Sequence, residues 1–215
     1  MNTANHASPE TTSIARLGVL QALRLKRRAQ AADLAVVTGA AVDSTTTVLT
    51  ELQEANLVKS VGDRFALTPE GRETLAKLLA DERETVDVAA IGIVYEEFTT
   101  FNDELKTLAS DWQNREGQPN DHADEAYDAA VLERLYDLNT RFQPVARRIG
   151  EIAPRLRPFS ARFEGAIARV RAGDVRWFLG PIMDSYHTVW FELHEELIGM
   201  TGRTREAEAM SGRAD

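Results

Sequence analysis

Residues 56–72 read NLVKSVGDRFALTPEGR. Asn56 is a residue that tolerates the left-handed conformation in which helices end, and Leu57-Val58 begins an extended segment. Two short runs, LVKS at 57–60 and RFALT at 64–68, flank the turn Val61-Gly62-Asp63, and together they predict a hairpin. Thr68-Pro69-Glu70 then supplies an N-cap, a proline at the first helical position and an early acid, so a helix starts there. Seventeen residues therefore carry the chain out of one helix, through a hairpin and into another.

Upstream, residues 14–27 place Ile14, Leu17, Leu20 and one of Leu23 or Leu25 at helical spacing, ending in the basic cluster Arg24, Lys26, Arg27 and Arg28. A second short helix follows in AQAADLAVVTG, with Leu34 and Val37 inward and Gly39 closing it. After a turn, Asp43 or Ser44 is a good N-cap for a third helix. Its inner face is Val42, Thr45, Leu49 and Leu52, and its outer face is Ser44, Thr46, Thr47 and Thr50. The predicted order is helix, helix, turn, helix, hairpin, helix.

These residues resemble the winged helix-turn-helix domain of MarR-like transcription regulators over about 14–80. The resemblance rests on Asp33-Leu34-Ala35 then Thr38-Gly39, on Leu49-x-x-Leu52, on Asn56-Leu57-Val58, and on Leu67-Thr68-Pro69-x-Gly71-Arg72. It implies DNA binding through the third helix. The chain departs from the family twice. Asn56 stands where a glycine is usual, and the turn around Asp63-Arg64 is shorter than the usual basic wing, which argues against deep minor-groove contact.

The residue chemistry points the same way. An α-helix enters the major groove, and what it shows there must be small and polar or basic. Ser44, Thr46, Thr47 and Thr50 are the expected base-edge residues, with no acid between Ser44 and Glu51. Arg27, Arg28, Lys59 and Arg64 are the expected phosphate contacts, which set affinity rather than sequence preference. The competing reading is that the hydroxyls only cap a helix, the arginines only solvate the surface, and the winged helix binds a protein partner as part of a scaffold.

Composition bounds the rest. The chain has 215 residues, 43% hydrophobic and 27% charged, so it is of a size and composition to bury a core. It has no cysteine, which excludes disulfides, thiolate zinc sites and cysteine nucleophiles. The first residues, MNTANHASPETTS, lack the basic and apolar regions of a secretory signal, and no apolar run approaches the roughly 18 residues needed to cross a bilayer. A cytoplasmic protein is expected. The net charge of −9 is uneven: residues 1–80 carry nine Lys/Arg against eight Asp/Glu, so the acidity lies in the remainder. An acidic body repels DNA while a neutral, locally basic N-terminal part can approach it.

Beyond residue 80 the pattern is helical. Ile91, Val94, Phe98, Phe101, Leu105, Leu108 and Trp112 alternate at three and four for three heptads, the seam of a long helix that packs either within the chain or against its own copy. QNREGQPND breaks it. A helix from about Asp124 to Asn139 is interrupted or restarted by Pro144. Another carries Phe159, Phe163, Ile167 and Val170 and ends at Gly173, and a last one is expected to open at Pro181. This tail is larger than MarR-like proteins require.

The last helix holds YHTVWFELHEE, residues 186–196. On a helix over 181–200, Ile182, Tyr186, Val189, Leu193 and Leu197 form one stripe beside Trp190. Asp184, His187, Phe191 and His194 form the next, and Glu192, Glu195 and Glu196 fall to solvent. His187 and His194 are seven apart, about 10.5 Å along the axis, too far for easy joint ligation of one metal ion. Asp184 with His187, or a partner such as His122, Asp128 or Glu133, is the alternative arrangement. No Gly-rich phosphate loop, nucleophile elbow or cysteine points to an enzyme. Two readings remain: an aromatic core with hydrogen-bonded histidines, or a small-molecule site in which Asp184, His187, Trp190, Phe191 and His194 orient a polar or anionic compound, its wall completed by Trp112, Tyr127, Tyr136, Trp177 or Phe178.

The expected protein is thus mainly α. It has a flexible start at 1–13, a winged helix-turn-helix domain with one small β-hairpin at 14–80, an all-α dimerisation and effector domain at 81–203, and a flexible tail at 204–215. The function expected of it is a cytoplasmic, homodimeric regulator of transcription that binds double-stranded DNA and answers to a small-molecule effector, with no cofactor, no metal, no membrane partner and no enzymatic activity.

Overall fold

In the computed structural model the chain divides into two units, Met1–Val86 and Asp87–Asp215, and residues 9–202 are described. Both units are dominated by helices. The tail at 204–215 and the first eight residues lie outside the described stretch.

The first unit runs α1 (Pro9–Lys26), α2 (Ala31–Thr38), α3 (Val42–Glu54), β1 (Val58–Val61), β2 (Arg64–Leu67) and α4 (Pro69–Thr85). Its core gathers Leu17, Leu20, Leu23, Leu34, Leu49, Leu52, Val58, Leu67 and Leu75. The stretch 56–72 is locked by three local devices. Asn56 takes φ 56°, ending the α3 region, and Gly62 takes φ 64° in the two-residue turn that sets the register Val58↔Leu67 and Val61↔Arg64. The Thr68 hydroxyl accepts from the Gly71 amide at 2.9 Å as N-cap of α4 and donates to the Asn56 carbonyl at 2.7 Å. A Cβ on Gly71 would stand 2.0 Å from the Leu57 carbonyl oxygen, so only glycine lets α4 start this close to β1. Ala29 adds a strand-like bridge to Phe65 on the open edge of β2.

Four expectations shift here. α1 begins at Pro9 rather than residue 14, so part of the stretch expected to be flexible is helical, and Ile14 is 41% exposed. Of Leu23 and Leu25, Leu23 is the buried one. α3 starts at Val42 with Ala41 as N-cap, which puts Asp43 and Ser44 inside the first turn rather than at the cap. The buried stripe consequently starts at Thr45, and Val42 is 48% exposed.

The second unit runs α5 (Val88–Gln113), a two-residue strand pair β3 (Asn114–Arg115) and β4 (Gln118–Pro119), α6 (Glu125–Ile152), a 3-10 turn (Pro154–Leu156), α7 (Pro158–Arg171), α8 (Arg176–Leu179) and α9 (Tyr186–Met200). α5 packs on α6, α6 on α7, α7 on α9 and α9 back on α5, so the four long helices enclose one core. The heptad seam of α5 is spent inside this bundle: Ile91, Val94, Phe98, Leu105, Leu108 and Trp112 are buried and Phe101 is half-buried. Phe98, Phe142, Phe163, Tyr186 and Trp190 interlock at ring separations between 4.5 and 6.0 Å.

Two boundaries differ from expectation. α6 continues unbroken through Pro144. Pro144 and Thr140 both face solvent, so the carbonyl that loses its intrahelical donor can turn to water. The last helix opens at Tyr186, not Pro181. Ser185 is its N-cap, accepting from the Thr188 amide at 3.2 Å, and the preceding turn leaves Ile182 95% exposed instead of in the buried stripe. Among the described residues no helix is long and apolar enough to cross a membrane.

Candidate functional site

In the first unit, α3 is amphipathic. Thr45, Leu49 and Leu52 are buried, and Ser44, Thr46, Thr47 and Thr50 are all exposed on its other side. The outward threonine hydroxyls donate to the carbonyls one turn back: Thr46 to Val42 at 2.9 Å, Thr47 to Asp43 at 3.1 Å and Thr50 to Thr46 at 3.0 Å. The helix has no lysine or arginine. The cations come from neighbouring segments. Arg27 and Arg28 are exposed between α1 and α2, Arg27 at φ 62°, and lead into the bridge between Ala29 and Phe65, next to Arg64. Lys59 is exposed on β1, which packs on α3 and is tied to it by Gln53 donating to the Ser60 hydroxyl at 2.9 Å. The turn itself is held by Gln30 donating to the Asp63 carboxylate.

In the second unit, a groove of about 530 Å³ opens between α5 and α9. From α9 it takes His187, Trp190, Phe191 and His194, four of the five residues expected at a ligand site. From α5 it takes Asn102, Leu105, Lys106, Ala109, Ser110 and Gln113, with Asn114 just beyond. None of its lining residues is acidic. Two hydrogen bonds pin the helices beneath it: the Trp190 indole N–H donates to Asn102 Oδ1 at 3.0 Å, and the Tyr95 hydroxyl lies 3.3 Å from His194 Nε2. Trp190 and His194 are thus core residues that show the groove one edge, whereas Phe191 is 42% exposed and forms its wall. His187 keeps one side in solvent, yet the protein around its ring pushes its pKa below the ordinary histidine value, so the imidazole is neutral at pH 7.

Asp184 stands apart from these four. Lying before α9, it accepts from Arg162 Nε at 3.2 Å and Nη2 at 3.1 Å. Nη2 also donates to Glu192 at 2.5 Å, and Arg155 holds Glu196 in a two-pronged pair at 2.8 Å for both bonds. The expectation that Glu192 and Glu196 are solvated is therefore wrong. Their side chains are each 4% exposed, because α9 is enclosed on nearly every face and α7 and the 3-10 turn send arginines to meet them. Burial alone would depress the Arg162 pKa, but Glu192 and Asp184 outweigh it and hold the guanidinium charged.

None of the aromatic residues expected to complete the wall does so. Trp112 packs edge-on against Phe178, the Tyr127 hydroxyl donates to the Asp111 carbonyl, Tyr136 lies under Arg171 and Trp177 under Arg169. Trp112 instead lines a second cavity of about 620 Å³ with His122, Glu125, Asp128, Leu132 and Leu179. There His122 Nδ1 pairs with Asp128 at 2.8 Å, which takes both away from His187 as co-ligands. Among the described residues no group of three or more His, Cys, Asp or Glu is arranged to hold a metal ion.

Asn102, Lys106 and Gln113 were not legible as site residues. They occupy α5 positions beside the heptad seam, and only the packing of α9 makes them walls. No protein-family model, curated protein or solved structure matches the chain.

Proposed function

We propose that the chain is a homodimeric, sequence-specific DNA-binding regulator of transcription: a MarR-like winged helix-turn-helix in the first unit, and a helical second unit that dimerises and binds a small-molecule effector. The observation that carries this reading is the outer face of α3, exposed and free of acids from Ser44 to Thr50, in a unit whose neighbouring segments expose Arg27, Arg28, Lys59 and Arg64. Such a helix suits the major groove, and such cations suit phosphates. Dimerisation follows from economy of recognition: one helix this short reads few base pairs, and a two-fold axis doubles the site. The α5–α9 groove is the effector site, with Phe191 and Trp190 for an apolar body and His187 and Lys106 for a polar or anionic group. Its occupant acts by changing the spacing of two recognition helices, which must match about one turn of DNA.

Binding to random duplex DNA across a salt titration tests this. Four basic residues per protomer make about eight phosphate contacts in a dimer, so affinity should fall roughly 10⁴-fold between about 50 and 200 mM salt. Arg27→Ala should flatten the log–log slope by about two. No measurable binding at low salt would overturn the proposal. The short acidic turn Gly62-Asp63, fastened to Gln30, favours the competing reading of a protein-interaction module, and that reading predicts no such salt dependence.

A further inference from the structure

We propose that the Thr46, Thr47 and Thr50 face of α3 reads thymine C5-methyl groups in the major groove; the inference rests on the DNA-binding reading above. It comes from what these side chains have left to offer. Each hydroxyl hydrogen is already donated to the carbonyl one turn back, at 2.9, 3.1 and 3.0 Å. That leaves the γ-methyl and the lone pairs of the oxygen for anything approaching from outside. The Gln53 amide, the longest donor toward the end of the helix, is engaged with Ser60.

The base edges discriminate sharply against this set. Guanine shows two acceptors and is read by bidentate donors, above all arginine and lysine, and α3 has neither. Thymine shows a methyl group, which an apolar contact can bury, and its partner adenine shows an amino donor, which a threonine oxygen can accept. Thr46 and Thr50 are one turn apart, about 6 Å by the helical rise, which spans about two base-pair steps, and Thr47 lies beside them. The face is thus matched to a short thymine-bearing step. Cytosine's amino group offers a threonine oxygen the same donor as adenine's, so the thymine methyl is what sets A·T pairs apart.

The test uses the full chain and a duplex selected by it from a random pool. Each thymine is replaced in turn by deoxyuridine, which removes only the C5-methyl. Affinity should drop about threefold to fourfold at one or more positions, the factor that burying one methylene-sized group supplies. At those positions Thr46→Ser or Thr50→Ser, which keep the hydroxyl and lose the methyl, should bring the thymine-to-uracil ratio to about one. Thr46→Val, which keeps a methyl, should retain it. A wild-type ratio of one at every position, with sequence-selective binding intact, would overturn the inference and leave the DNA-binding reading standing. Failure to select or bind any duplex would sink both.

Discussion

Replacing Arg162 with methionine removes a buried cation that faces two carboxylates in the second unit. Arg162 and Glu192 have side chains 3% and 4% exposed and approach to 2.5 Å, while Asp184 is 19% exposed and can recover water. Two opposite charges about 4 Å apart attract by roughly 4 kcal/mol at an effective dielectric of about 20, and much of that is offset by their desolvation when both are present. When Arg162 is removed the attraction disappears, while the cost of burying the Glu192 carboxylate remains. Arg162→Met should therefore cost about 3–5 kcal/mol, a large share of the roughly 5–15 kcal/mol that holds a domain together. The double variant Arg162→Met/Glu192→Met should recover most of the loss, giving a coupling of about 2 kcal/mol or more. Urea unfolding followed by tryptophan fluorescence measures this unit by itself, because Trp112, Trp177 and Trp190 all lie in it. If Arg162→Met costs less than about 1 kcal/mol, Glu192 is reaching solvent and the buried network is wrong.

Gly71→Ala should unfold or grossly loosen the first unit, since its methyl would overlap the Leu57 carbonyl; amide exchange of residues 14–80 should rise while the tryptophan signal stays native. Trp190→Ala should cost about 3–5 kcal/mol, losing both a packed ring and its bond to Asn102, whereas Phe191→Ala, half in solvent, should cost under about 1.5 kcal/mol and so isolate the groove from the core in any effector assay. His187 has a folded pKa below its unfolded value of about 6.5, so the unfolded chain takes up its proton first as pH falls. Its contribution is present in full above about pH 6.5 and is lost as pH drops from there toward the folded pKa. His187→Gln should be less sensitive than wild type over that window in thermal unfolding, and an equal pH slope would refute the assignment.

The order of elements in the first unit, down to the turn at Gly62 and the start of α4, was legible because it depends on local preferences: Asn56 and Gly62 in left-handed backbone, Thr68 as a cap, Pro69 at the first helical position. The same holds for the α5 seam, whose three-four spacing belongs to one helix. What a long seam packs against is not a property of the helix, and only the bundle decided that it is used within the chain. Helix starts moved by a few residues where the signals were weak, as at Ala41, or where a proline stood in a turn instead of a first helical position, as at Pro181. Pro144 misled because a long helix held by packing on its neighbours can carry an interior proline whose freed carbonyl turns to water. Both that packing and the exposure at 140 and 144 are tertiary properties.

The same division runs through the candidate sites. Ser44, Thr46, Thr47 and Thr50 could be read from the sequence because they share one face of one helix, and a face is set by periodicity. Glu192 and Glu196 could not, because whether a carboxylate is solvated depends on what lies opposite it, and the arginines opposite come from segments thirty and forty-one residues away. Nor could the walls of the α5–α9 groove, which exist only where two helices distant in sequence meet. The sequence by itself determined local conformation and the composition of each face. The tertiary structure decided which faces meet, and with that which charges are buried, which aromatic rings are core, and where a ligand has room.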